Sequence, residues 1–192
     1  MILLLGLLFG LLAGAGRATW RRCPYQLPIV SGFGLVLIAF IPQFLAFYAP
    51  GIRGLVTGPL ATIALVSSQA LLLGFIWLNK SNRSFWLLGA GLVMNLCAIL
   101  ANGGLMPISL HTLQHLAPEI PVAAWKIGTR FGTTKDIILA PEQIRLEWLA
   151  DRFIAPTWFP QRVAFSLGDV IIAAGAFWFF WQAGKCERHV QA

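Results

Sequence analysis

Charged side chains are scarce in this sequence, and acidic side chains are the scarcest. Of its 192 residues, 11% are charged and 58% are hydrophobic, with seven acidic against fourteen basic residues. A soluble domain is about a quarter charged. A chain of this composition has too little polar surface to cover a globule in water. The shortage therefore argues against a soluble domain and predicts an integral membrane protein.

The motifs of the common catalytic classes are also missing. None of the three cysteines has a CxxC spacing, which argues against a metal site. The sequence contains no P-loop, no dinucleotide-binding glycine pattern and no nucleophile elbow. The net charge of +7 is scattered through short turns and forms no basic patch. We therefore expect no cofactor and no nucleic-acid partner.

What the sequence does contain is a set of long apolar runs, and a membrane-spanning helix needs about 20 apolar residues. The runs cover about 1–20, 28–48, 55–78, 85–101 and 163–183. We predict an all-α integral membrane fold of about five transmembrane helices, with an extracytoplasmic cap of short amphipathic helices between helices 4 and 5. This divides the chain into transmembrane helices 1–4 (1–103), the cap (104–162), transmembrane helix 5 (163–184) and a cytoplasmic tail (185–192).

Within the predicted cap, Ser109 has the character of an N-cap for a short helix over Leu110–Ala117. The leucine spacing of that helix suits one that lies flat on the bilayer. A second helix is predicted to begin at Pro141 and to run to about Phe153. The residues between these helices predict one extended strand.

The distribution of basic residues predicts the orientation. The turns on one side hold all but one of the basic residues outside the cap: Arg17, Arg21, Arg22, Lys80, Arg83, Lys185 and Arg188. The short turn on the other side holds Arg53 alone. Because cytoplasmic loops are rich in Lys and Arg, we predict a bacterial plasma membrane protein with its N-terminus outside and its C-terminus in the cytoplasm.

Glycines recur every four residues in the first helix, at Gly6, Gly10 and Gly14. Such a stripe allows another helix to approach closely. Glycine is also simply common in membrane helices. We favour a helix-packing face.

Asp169 is the most unusual residue, because an ionisable group inside a span is costly unless it is paired or wet. It is predicted to lie about two turns inside the fifth span, near the bend that ends the fourth. The residues expected around it are Asn102, Gly103, Gly104, Asn95, Ser166 and Gln43. Asp169 either lines a polar pocket for a ligand or forms a structural lock, in which it accepts hydrogen bonds from Ser166, Asn102 and the Gly103-Gly104 bend.

His111 and His115 are four residues apart and would point the same way from a helix. Two histidines at this spacing can hold a metal, but no third ligand accompanies them. They are weak metal candidates, and the alternative is a pair of interfacial histidines. No spacing favours a Ser–His–Asp hydrolase.

Two short patterns carry a resemblance to a known family: Asn-Gly-Gly-x-Met-Pro at 102–107 and Ser-x-Gly-Asp at 166–169. With the glycine-rich first helix, they make the chain resemble an uncharacterised family of small bacterial multi-pass membrane proteins, a domain of unknown function. The resemblance implies a five-helix bacterial membrane protein and implies no activity.

Three functions remain open. The leading hypothesis is a non-enzymatic accessory, scaffold or assembly subunit that packs against other integral membrane proteins in the lipid bilayer. The second is a carrier that contacts a small molecule, lipid, quinone or pigment in a polar pocket around Asp169 and Asn102. The third is an extracytoplasmic enzyme that uses His111 and His115.

Overall fold

The computed structural model describes residues 2–156, 159 and 162–184, and the predicted tail at 185–192 lies outside them. The protein is mostly helical. Three helices are long and apolar enough to cross a membrane: α1 (Ile2–Trp20), α3 (Gly58–Leu78) and α4 (Ser84–Ala101). Two shorter apolar helices accompany them: α2 (Phe33–Gln43), which continues as a π-helical turn (Phe44–Tyr48), and α6 (Leu167–Gln182).

The five apolar helices form an open arc. α1 packs on α6, α6 on α4, α4 on α3 and α3 on α2, while α1 and α2, at the two ends of the arc, share little contact. α4 runs antiparallel to α6, since Gly91 meets Gly168 and Gly175 meets Leu88. The arc therefore has one open seam, which lies between α1 and α2.

The glycine stripe of α1 is the surface on which α6 packs. Gly6, Gly10 and Gly14 meet Ala173, Phe177 and Phe180 in the same order, so the two helices run parallel. A Cβ at Gly10 would lie 2.6 Å from the carbonyl oxygen of Phe177. The stripe is thus occupied within the chain and is not a free face for another protein.

Both shorter helices begin later than the apolar runs predict. α2 starts at Phe33 rather than at residue 28, because Gly32 before it takes a φ of 70°. α6 starts at Leu167 rather than at 163, because β4 (Ala164–Phe165) pairs with β3 (Phe153–Ile154). Asp169 consequently lies in the first turn of α6, and its predicted position two turns inside the helix is wrong.

The segment between α4 and α6 is mixed rather than helical. β1 (Met106–Ser109) pairs in parallel with β2 (Asp136–Leu139). α5 (Leu110–Leu116) follows β1, and the Ser109 Oγ caps it by accepting from the Thr112 N–H at 3.1 Å. The face of α5 that was predicted to rest on the bilayer instead packs on the strands, with Leu113 buried against Ile108 and Ile138.

The helix predicted from Pro141 to Phe153 is absent. The chain there forms two short 3₁₀ turns, Pro141–Gln143 and Glu147–Leu149. Leu146 between them has a left-handed φ of 56°, which breaks a right-handed helix. The adjacent peptide of Arg145 is bound by the Asn102 side chain, so a tertiary contact overrides the local helical preference.

Candidate functional site

Asp169 is held by two neighbours from two different elements. Its Oδ2 accepts from the Ser166 N–H at 3.0 Å, and the Ser166 Oγ accepts from the Asp169 N–H at 3.1 Å, which makes a capping box at the start of α6. Its Oδ1 accepts from Asn95 Nδ2 at 3.0 Å, and Asn95 Oδ1 accepts from Ser166 Oγ at 2.9 Å. This network ties the middle of α4 to the first turn of α6.

The predicted contact between Asp169 and the glycine bend is wrong. Asn102 Nδ2 donates to the carbonyl oxygens of Ala98 and Arg145, at 2.8 and 2.7 Å, and Asn102 Oδ1 accepts from the Arg145 N–H at 2.8 Å. Gly103 and Gly104 end α4 with φ values of 83° and 94°. Since α6 begins late, Asp169 meets Asn95, which lies two helical turns from Asn102. The structural lock expected around Asp169 is therefore replaced by two separate contacts. One joins Asp169 to Asn95 and Ser166, and the other joins Asn102 to the Arg145 peptide.

A cavity of about 530 Å³ lies beside this network, inside the arc of helices. Binding pockets for small molecules have volumes of roughly 300–1,000 Å³. The wall on α3 consists of five residues that the helical repeat places on one side of the helix: Leu65, Gln69, Leu72, Phe75 and Ile76. The walls on α2, α4 and α6 are likewise mostly apolar.

The cavity opens at the seam between α1 and α2. Leu3 of α1 and Phe33 of α2 line it and are 42% and 59% exposed, and Tyr48 in the π-helical turn lines it and is 63% exposed. On the opposite wall Leu65 and Phe85 are 2% and 3% exposed. One side of the cavity is thus sealed by helix packing, and the other faces the surroundings of the bundle.

Besides the phenol of Tyr48, five residues with amide or charged side chains border the cavity, and we call these five the polar belt: Gln43, Gln69, Asn95, Lys135 and Asp169. Leu65 and Ile99 pack in one core cluster with Met106. One turn further along α3 and α4 brings Gln69 and Asn95 to a common depth. Beyond the belt, towards Ile76 of α3, the wall is apolar.

Gln43 and Gln69 enter the belt from α2 and α3. Gln43 Nε2 donates to Ser68 Oγ at 2.7 Å, and Ser68 Oγ donates to the carbonyl of Ala39 in the turn before Pro42. Pro42 offers no N–H to the carbonyl of Ile38, and the Ser68 hydroxyl supports the same turn at the adjacent carbonyl of Ala39. Gln69 is 8% exposed, and its Oε1 has no hydrogen-bond partner among the described residues.

Lys135 enters the belt from outside the helices, just before β2. Its Nζ lies 2.6 Å from Asp151 Oδ2 and 3.6 Å from Asp136 Oδ1. β1 positions both partners, because the Met106 N–H donates to the Lys135 carbonyl at 3.0 Å and the Asp151 N–H donates to the Pro107 carbonyl at 3.2 Å. The lysine side chain is 39% exposed by area and borders the cavity.

Lys135 and the carboxyl groups around it influence one another electrostatically. Burial lowers the pKa of Lys135, but the attraction of Asp151, Asp136 and Asp169 outweighs burial, so its pKa lies above the ordinary value and the amine stays charged. Burial raises the pKa of Asp151 to about 7, against the opposing attraction of Lys135. Asp151 Oδ1 has no hydrogen-bond partner among the described residues. The group therefore carries a carboxyl that can change protonation near neutral pH.

Sequence reasoning finds part of this site. Gln43, Asn95 and Asp169 stand out as polar residues within apolar runs, and the same signal marks Gln69. Lys135 and Asp151 are missed, because they lie in a polar segment where charged residues are ordinary. Only the parallel pairing of β1 with β2 carries Lys135 to the helices.

The two histidines lie apart from the cavity. Their ring centroids are 4.5 Å apart, and His115 Nδ1 is 2.9 Å from the carbonyl oxygen of His111. Both residues are exposed, and neither borders the cavity. Within the described part of the chain, no group of three His, Cys, Asp or Glu side chains could hold a metal ion. The pair remains a metal candidate without a third ligand.

Comparison with known proteins identifies a family to which the chain belongs. No curated protein and no solved structure matches the chain. The model of a family of unknown function (DUF5317) matches residues 29–181, a range that contains the whole polar belt and leaves out α1. The chain belongs to this family.

Proposed function

We propose that this member of the DUF5317 family is a membrane-embedded binding protein, or carrier, for an amphiphilic, lipid-like molecule. The observation that supports this best is the cavity, because it combines mostly apolar walls with the polar belt. Small-molecule sites have this composition, in which apolar walls supply affinity and a few polar groups fix orientation. The polar head of the molecule would lie at the belt and its chain along the apolar wall.

The seam between α1 and α2 suggests how such a molecule arrives. A partly exposed cavity rim of Leu3 and Phe33 is suited to contact with hydrocarbon and poorly suited to contact with water. An amphiphile already dissolved in the bilayer would reach the cavity sideways. It would not have to cross the segment between α4 and α6.

We further propose that all five apolar helices cross the membrane. α6 has 16 residues, and α2 with its π-helical turn spans another 16, from Phe33 to Tyr48. At 1.5 Å per residue each is about 24 Å long, close to a hydrocarbon thickness of about 30 Å. Both pack along the three longer helices, which supports equal depth. The basic turns favour a bacterial plasma membrane with the N-terminus outside, so that residues 104–162 form the extracytoplasmic cap.

The accessory-subunit hypothesis stays a prediction with less support than before. One of its grounds was a glycine stripe available to other membrane proteins, and α6 occupies that stripe. The enzyme hypothesis rests on His111 and His115, which lie away from the cavity. Of the three hypotheses, only the carrier hypothesis gains support from the structure, through the cavity and its polar belt.

The experiment is native mass spectrometry of the protein released from mild detergent, followed by extraction of bound small molecules. Leu72 on the cavity wall is replaced by tryptophan, which fills part of the cavity. The matched control is Leu60→Trp on the same helix, where the side chain is 54% exposed and does not border the cavity. We expect a bound amphiphile in the unchanged protein and in Leu60→Trp, and its loss in Leu72→Trp.

Two outcomes contradict the proposal. The first is a protein without bound amphiphile that also takes up none when decanol or monoacylglycerol is added. The second is equal retention of the amphiphile in Leu72→Trp and Leu60→Trp, because bound lipid would then lie on the outer surface.

A further inference from the structure

The polar belt offers hydrogen-bond acceptors as well as donors to the cavity. Gln69 is 92% buried, bordering the cavity, and its amide forms no hydrogen bond with the described residues. Gln43 uses its Nε2 on Ser68, and no described residue donates to its Oε1. Each oxygen of Asp169 accepts one hydrogen bond, and a carboxylate oxygen can accept two.

The donors of the belt are the Lys135 ammonium group and the side-chain amides, among them the NH2 group of Gln69. An ammonium group has three N–H donors. One of them donates to Asp151 Oδ2 at 2.6 Å, Asp136 Oδ1 lies 3.6 Å from the Nζ, and the residue borders the cavity. A molecule at the belt therefore meets at least one donor beside several unused acceptors.

The charges near the belt nearly cancel, which disfavours an ionic ligand. Lys135 faces Asp136, Asp151 and Asp169, and Arg130 adds a second positive charge near Asp136. An anionic head would compete with three carboxylates for one lysine. A cationic head would face Lys135 directly. Neither charge gains a clear partner in a setting where a buried unpaired charge is costly.

We infer that the head group held at the polar belt is a neutral hydroxyl, as in a long-chain alcohol, a monoacylglycerol or a hydroquinol; this inference rests on the proposed function and names its ligand class. A hydroxyl donates one hydrogen bond and accepts two. It can donate to Gln69 Oε1 and accept from Lys135 Nζ. A ketone, an ester or an oxidised quinone only accepts, so it would leave the acceptors of the belt unpaired. A site built to bind a hydroxyl rejects an analogue that lacks it.

The test compares probes of one chain length: 1-decanol, its methyl ether, 2-decanone and decanoate. Each is titrated into the protein in lipid nanodiscs, and the apparent Kd is taken from the rise in the thermal unfolding temperature. We expect decanol to bind about tenfold more tightly than the ether or the ketone, corresponding to one or two hydrogen bonds. Effects of the probes on the bilayer itself are subtracted with Leu72→Trp, which should respond to none of them.

The decisive variant is Gln69→Leu, which keeps the volume and removes the amide. Because the Gln69 amide has no partner among the described residues, the change should not weaken the fold. The preference for decanol over the ether should shrink to about twofold, while binding of the ether is kept.

The outcomes separate this inference from the proposed function. Equal binding of decanol and ether by the unchanged protein, or tightest binding of decanoate, would overturn the hydroxyl inference and leave an amphiphile-binding cavity. A preference that survives in Gln69→Leu would also overturn it, since the hydroxyl would then be bound elsewhere. No response to any probe would overturn both.

Discussion

At the level of single residues, Asp169 acts only as a hydrogen-bond acceptor, while Asn95 both donates and accepts. Exchanging the two residues should therefore preserve the network. Asp169 accepts from Asn95 Nδ2 and from the Ser166 N–H, while Asn95 accepts from Ser166 Oγ. Asp169→Asn leaves one acceptor oxygen for two donors, Asn95 Nδ2 and the Ser166 N–H, so we expect a loss of about 1–3 kcal/mol in unfolding free energy. Thermal and denaturant unfolding in nanodiscs measures the loss.

The control for this prediction is the exchanged pair, Asn95→Asp with Asp169→Asn. An asparagine at 169 can accept from the Ser166 N–H and donate to an aspartate at 95, which still accepts from Ser166 Oγ. We expect the exchanged pair to recover most of the stability. A double variant no more stable than Asp169→Asn would show that the network does not act through these hydrogen bonds.

Asp151 makes the stability depend on pH. Its pKa is raised from 3.8 to about 7, first by burial and then by Asp136 and Asp169, with Lys135 opposing. An acid whose pKa rises on folding contributes stability below its unfolded pKa, and that contribution is lost as the pH rises through the folded value. We expect the unfolding temperature to fall between about pH 5 and about pH 8, and Asp151→Asn to remove most of that slope.

The comparison variant is Glu147→Gln, because Glu147 is an exposed carboxylate on the same segment. The fall of its unfolding temperature between about pH 5 and about pH 8 should match that of the unchanged protein. If Asp151→Asn keeps the full slope, another group in the chain must titrate in this range.

At the level of elements, the contact between α1 and α6 depends on missing side chains. Gly10 is buried against the backbone of Phe177, so a methyl group there forces the helices apart. We expect Gly10→Ala to lower the unfolding free energy by about 1–3 kcal/mol. Gly16→Ala on the same helix meets no atom within 4 Å and should leave stability unchanged or raise it by up to about 1 kcal/mol. Equal effects would mean that close packing is not what the stripe provides.

The same elements show where the sequence is informative. Long apolar runs locate the helices because a helix that crosses a membrane needs such a run, and Ser109 marks the start of α5 because capping is local. The false helix after Pro141 follows from a tertiary contact, since Asn102 binds the Arg145 peptide from the far end of α4. The sequence reveals a residue of the polar belt only where that residue interrupts an apolar run. Lys135 depends on pairing between strands some 30 residues apart, which no local pattern encodes.

At the level of the whole molecule, the open arc would set the route by which a ligand enters the proposed carrier. Four helix interfaces are closed by packing, and the ends of the arc leave a seam between α1 and α2. The exposed rim of the cavity lies along this seam. In this proposal, access from the bilayer would need no movement of residues 104–162, and the residues of the seam should control the rate of loading more than the affinity.

Val36 of α2 borders the cavity, and its neighbour Leu37 is 58% exposed and does not border it. Val36→Trp should narrow the seam and slow the uptake of decanol from vesicles several-fold, while Leu37→Trp should leave the rate unchanged. Stopped-flow quenching by a brominated alcohol measures both rates, with the quenching of each variant normalised to its own endpoint. Since Val36 borders the cavity, a tryptophan there also fills part of it, so the release of decanol is measured beside its uptake. A narrowed seam slows both uptake and release, whereas a loss of affinity speeds release. Equal rates in the two variants would mean that ligands enter elsewhere, and the remaining route would then lie past Lys135 and the segment between α4 and α6.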